Sequence, residues 1–149
     1  MTNADRLSLT ASDCEDLTIF ASVFQDSAVR MADLTYLPRE RLFAAVLSRF
    51  RWEGNGRAGA TERFRTGVNF KSVLAVKSRN LETGSPDLVL NLLTINCQPG
   101  EDGAANIEWI FAGGASIQLQ VECIDAELAD LAGPWKAATR PNHPIAAEE

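Results

Sequence analysis

Five of the chain's fourteen Lys and Arg residues lie in one stretch, RFRWEGNGRAGATERFRTG, from Arg49 to Gly67. Guanidinium forks gathered in this way suit one kind of chemistry, the binding of carboxylates and phosphates. The glycines between them, Gly54-x-Gly56-x-x-Gly59, repeat the spacing of a pyrophosphate cradle. That cradle needs a strand before it and a helix after it, because the helix N-terminus supplies the N–H groups and the dipole that hold the anion. Here the following residues, ATERFRTGVNF, alternate as a strand does. The glycines therefore read as a hairpin loop, and the arginines must be judged by the face they share.

Catalytic patterns are scarce. Triads of the Ser/His/Asp or Cys/His kind need a histidine held rigidly beside the nucleophile. The one histidine, His143, sits between two prolines in a C-terminal tail. No GxSxG, HExxH or GxxxxGK[ST] occurs. Asp13, Glu15 and Asp16 suit the first turn of a helix, and Asp125, Glu127 and Asp130 suit the solvated face of another. Three cysteines, Cys14, Cys97 and Cys123, have no close spacing and are expected as small hydrophobes with no disulfide framework. No catalytic residue, metal site or cofactor is expected. An enzyme with a carboxylate or thiol site would need a deep pocket lined by acids or by Cys97.

The arginines are placed by period-two geometry. A hairpin with Trp52 opposite Phe64 turns Phe50, Trp52, Phe64 and Thr66 inward. Arg49, Arg51 and Glu53 then share an outer face with Arg63, Arg65, Asn69 and Lys71. Arg51 falls opposite Arg65, an unfavourable pairing that a bound anion or an acidic partner would relieve. The candidate binding face is thus Arg49, Arg51, Arg63, Arg65 and Lys71. Inward aromatics leave nothing for bases to stack on, which argues against nucleic acid. The bland alternative is a solvated sheet face whose arginine stems cover apolar surface.

Charge distribution agrees with this emphasis. The net charge is −6, yet residues 30–79 hold eleven basic and four acidic side chains. The remainder holds three and sixteen. An acidic protein partner, or self-association between the two halves, fits that division. No apolar run approaches the roughly 18 residues of a membrane span. The opening MTNADRLSLT lacks a basic and then apolar leader, so a cytoplasmic location is expected.

The elements that must carry the face follow from hydrophobic spacing. A short strand at Arg6–Thr10 leads to a helix over Asp13–Ser27, with a Ser12/Glu15 capping box and an apolar stripe of Leu17, Phe20, Ala21, Phe24 and Ala28. From Val29 the period becomes two: a strand at Leu34–Tyr36, a turn at Pro38–Arg41, and a strand with Leu42, Ala44, Val46, Ser48 and Phe50 on one face. Phe64–Phe70 is the next strand. A bend near Lys71–Ser72 precedes a strand buried on both faces through Val76. LETGSPD is a loop, and LVLNLLTIN is a strand. In IEWIFAGGASIQLQV, a three-residue Gly113–Ala115 loop pairs Trp109 with Leu119 and leaves one face wholly apolar. AELADL reads as a short final helix capped by Asp125 and stopped at Gly133–Pro134, after which Trp135 folds back on the core.

This order predicts one α+β domain over residues 1–135: mainly antiparallel sheet, a partly open pleckstrin-homology-like barrel with an N-terminal amphipathic helix and a short C-terminal helix. Residues 136–149 are expected to be a mobile tail. Three stretches, AVRMADLTYLPRERLFAAVLSRFRWE, RTGVNFKSVLAVKSRN and FAGGASIQLQVECIDAELADLAGPW, resemble an uncharacterised alphaproteobacterial family, domain-of-unknown-function family 2948. The resemblance runs from about Leu7 to Pro144 and implies no activity, cofactor or catalytic residue. The expected function is a non-enzymatic binding or adaptor module working through the basic hairpin face. An anion or nucleic-acid binder through the same arginines is the alternative.

Overall fold

The structure, a computed structural model, describes residues 6–50, 62–82 and 84–136, with backbone alone at 135 and 136. The predicted hairpin loop, with Arg51, Trp52 and Glu53, lies outside these residues, as do the tail and the Trp135 side chain.

The first strand, β1 (Ser8–Ala11), leads into α1 (Cys14–Val23). The helix is capped one residue later than the Ser12/Glu15 reading. The Asp13 carboxylate accepts from the Asp16 N–H at 2.8 Å, and Asp16 accepts from the Ser12 N–H at 2.9 Å. This is the same reciprocal logic with aspartates in both roles. The helix is also shorter than expected. Asp26 takes a positive φ of 63° and donates its N–H to Leu92 O, which turns the chain into β2 (Ser27–Arg30). Ala28 is therefore a strand residue, while Leu17, Phe20 and Phe24 are buried as the stripe implied.

The rest of the described fold is sheet, richer than the α+β expectation. β3 (Leu34–Leu37), β4 (Leu42–Phe50), β5 (Glu62–Phe70), β6 (Val73–Arg79), β7 (Val89–Pro99), β8 (Ala105–Phe111), β9 (Ser116–Val121) and β10 (Ala126–Lys136) follow in turn. All pairs are antiparallel, in the order β1-β10-β5-β4-β2-β7-β8-β9-β6, with β3 beside β4. The ends of this path do not meet, so the sheet is not a closed barrel. It curls over its own core. Phe43 of β4 and Phe70 of β5 stand edge-on to Trp109 of β8 at centroid distances of 5.4 and 6.0 Å. Phe20 of α1 meets Phe70 at 6.5 Å, so the helix completes the same cluster.

Four expectations are corrected. AELADL is strand β10 and not a helix. Its side chains alternate, with Ala126, Leu128 and Asp130 buried and Glu127 and Leu131 exposed. Pairing with β1 on one side and β5 on the other overrides the helical propensity of the segment. The pleckstrin-homology analogy rested on that C-terminal helix and loses its basis. Next, β6 is not buried on both faces: among the described residues it pairs only with β9, and it exposes Leu74, Lys77, Ser78 and Arg79. Third, the β8–β9 loop has three residues as expected, but they are Ala112–Gly114. Trp109 therefore pairs with Ile117 and Ile107 with Leu119. The slide spans two positions and preserves parity, so the apolar face survives. Gly113 and Gly114 have φ of 87° and 89°, a conformation open to glycine at no steric cost.

The fourth correction concerns the cysteines. Cys14 and Cys97 form a disulfide with a Cα separation of 5.4 Å, and Cys123 is free and exposed. The partners are 83 residues apart in sequence and meet only because α1 lies against β7. No local spacing could announce that.

Candidate functional site

The β4–β5 hairpin carries the predicted arginines, and its register decides where they point. Phe43 pairs with Phe70, Leu47 with Thr66, Arg49 with Phe64 and Phe50 with Arg63. The expected pairing, Trp52 with Phe64, is three positions away. An odd shift exchanges the faces of one strand. On β5 the even residues Phe64, Thr66, Val68 and Phe70 are buried as expected, while on β4 the odd residues Phe43, Ala45, Leu47 and Arg49 are buried. Leu42–Phe50 is apolar at both parities apart from Ser48 and Arg49, so its alternation was ambiguous. An arginine turned inward carries the desolvation cost of a buried charge.

That cost is met by an acid the sequence reading had placed on a solvated helix face. Arg49 and Asp130 are fully buried and joined in a two-pronged pair, Nε to Oδ1 at 3.0 Å and Nη2 to Oδ2 at 2.7 Å. The Thr66 hydroxyl donates to Oδ1 at 2.5 Å and the Leu7 N–H to Oδ2 at 2.8 Å. Arg49 Nη1 donates to Phe50 O at 3.0 Å, and its guanidinium lies 4.6 Å over the Phe64 ring. A buried charge pair survives only when its remaining donors and acceptors are satisfied. Here one carboxylate of β10 ties together β5, β4 and Leu7, the residue that leads into β1. Arg49 is thereby a positioning residue of the fold, removed from the outer face. The signal that would have found it is the alternation of Ala126, Leu128 and Asp130.

The outer face of the same strands keeps Arg63 and Arg65. Arg63 stacks 4.2 Å over the Phe50 ring and donates to Ser48 Oγ at 2.7 Å and Ser48 O at 2.9 Å. Its burial pushes its pKa below the ordinary arginine value, and the cation is kept by the guanidinium's delocalised charge. Arg65 pairs across with Ser48, is exposed, and forms no hydrogen bond or ion pair among the described residues. Lys71 is engaged with Glu127 at 3.6 Å. The structure thus brings Arg63 and Arg65 onto one face and turns Arg49 to the other, while Arg51 lies outside the described residues.

Two residues along β5 from Arg65, at Gly67, the same face opens into a groove of about 580 Å³ that Arg65 itself does not line. Its floor is made of small residues, Ala44, Val46, Gly67 and Ala129, and Leu131 forms one wall. A Cβ added to Gly67 would come within 3.3 Å of Leu131 Cδ1, so the glycine lets that leucine settle across β5. Two acids reach the rim, Asp33 and Glu127. Both already have cations, Asp33 with Arg30 at 3.3 Å and Glu127 with Lys71. Among the described residues Arg65 has neither an ion pair nor a hydrogen bond on this face, while Arg63 is hydrogen-bonded to Ser48 without a counterion.

A family profile described as a protein of unknown function (DUF2948) matches residues 7–143. The chain belongs to that family. No curated protein and no solved structure matches it. DUF2948 membership brings no catalytic residue, ligand or partner with it, so the chemistry must be read from the two faces of the hairpin. Cys97, the thiol an enzymatic reading would have used, is bonded to Cys14. No helix among the described residues is long and apolar enough to cross a membrane.

Proposed function

We propose that this DUF2948 protein is a non-enzymatic binding module that docks an acidic partner on the outer face of β4, β5 and β10. The observation that carries the reading is the charge state of the groove: its rim acids are paired within the chain, and the adjacent Arg65 is not. A partner segment with an apolar residue for the Ala44–Gly67–Ala129 floor and a carboxylate for Arg65 complements both features. Arg63 lends a second, partly desolvated cation, and Lys71 can join if Glu127 releases it. This narrows the expected basic face to Arg63 and Arg65. The acidic protein partner, rather than the second copy, is favoured because the groove's own acids are already satisfied.

Nucleic acid is the second reading, favoured only by Phe50, which lies on the outer face and not inside as expected. Arg63 covers that ring, so a base would have to displace the guanidinium. The test is anisotropy of a labelled acidic peptide with a central leucine, and of labelled single-stranded DNA, at low and high salt. The proposal expects peptide binding that Arg65→Glu removes. DNA binding with a steep salt dependence, and none of the peptide, would replace it with the second reading.

A further inference from the structure

Among the described residues three strands pair on one side only, and they differ in what they offer. β1 and β3 have four residues each, and β6 has seven. β6 is anchored at its start, where Val73 donates its N–H to Arg41 O and accepts from the Tyr36 hydroxyl at 3.0 Å. Beyond Val73 its outer edge is unpaired among the described residues. The register with β9 sets Lys77 opposite Gln118 and Arg79 opposite Ser116, so both cations project to one face, two residues apart. Both are exposed, and neither forms a hydrogen bond or ion pair among the described residues. Leu74, 49 % exposed, adds an apolar contact near the anchored end.

A free edge of this length is a template for another strand. Its charge selects which. A second copy pairing antiparallel along β6 would gather two lysines and two arginines on one face, and like charges across a ladder are destabilising. An extended acidic segment reverses that sign, since carboxylates two residues apart would stand opposite Lys77 and Arg79. We infer that the β6 edge is a second docking site, which takes an extended acidic peptide of a partner protein as an added antiparallel strand. The same two cations exclude a second copy. This site is separate from the groove: it uses backbone groups of β6, and Arg65 has no part in it.

The probe is a labelled peptide alternating Glu and Val, read by anisotropy and by hydrogen exchange of the full chain. The expected result is slowed exchange across residues 74–79, binding weakened roughly tenfold by the Lys77→Glu/Arg79→Glu double variant, and no change from Arg65→Glu. A proline in the peptide centre should also weaken binding, because it removes a ladder donor. Both substituted positions are exposed, and an unchanged melting temperature confirms that the double variant is folded. The inference is overturned if the peptide fails to bind, or if protection falls on β4–β5 and is lost in Arg65→Glu. Protection of β6 that rises with protein concentration without peptide would make a second copy the occupant and would equally overturn it.

Discussion

Arg49 and Arg65 lie on the two paired strands of a single hairpin, one register position apart, and the fold uses them in opposite ways. Arg49 is fully buried, paired in two-pronged fashion with Asp130 and bonded to Phe50 O. Arg65 is exposed opposite Ser48 and has no partner among the described residues. Composition cannot separate them. What separates them is parity: strand β4 turns its odd residues inward and β5 its even ones. A buried arginine is then retained because a carboxylate, a hydroxyl and a backbone N–H converge at the same depth. The comparison teaches that an arginine-rich hairpin is two surfaces, one serving the fold and one available to a partner.

The largest effect should come from breaking the inner surface. Asp130→Ala strands a buried guanidinium and is expected to cost about 3–5 kcal/mol in urea unfolding. The double change Arg49→Met/Asp130→Leu should recover much of that loss, because an apolar pair needs no compensation. A double variant as unstable as the single one would show that the pair is more than a matched charge. Next in size is the disulfide. Cys14→Ser opens a loop closed across a sequence separation of 83 and should lower stability by about 2–4 kcal/mol. A reductant should do the same to the native protein and nothing further to the variant, as differential scanning can show.

The outer surface should respond less. Arg63→Ala removes the stack on Phe50 and the bonds to Ser48, a loss of about 1–2 kcal/mol. Arg65→Glu should leave stability within about 0.5 kcal/mol, as exposed substitutions do. If Arg65→Glu proved as destabilising as Asp130→Ala, the division into two surfaces would fail.

Much of this is legible in the sequence. The alternation of Phe64, Thr66, Val68 and Phe70, the bend at Ser72, the helix with Leu17 and Phe20, and the apolar face of the last hairpin each rest on local periodicity, and each is present. The losses have physical causes. Leu42–Phe50 is apolar at both parities, so its face depended on a partner 81 residues away, Asp130. AELADL is built of good helix formers, yet two flanking strands claim its backbone. Cys14 and Cys97 meet through tertiary packing alone. The candidate site was half readable: Arg63 and Arg65 do share an outer face, while Arg49 could be assigned only with its carboxylate in view.

The most direct test of the two-surface account is a pair of amide spectra of wild type and Arg65→Glu, titrated with the acidic, leucine-centred peptide. The account predicts shifts at Gly67, Asn69 and Ala129 in the wild type, and their loss in the variant at an unchanged unfolding midpoint. Shifts at those residues that persist in Arg65→Glu would contradict it.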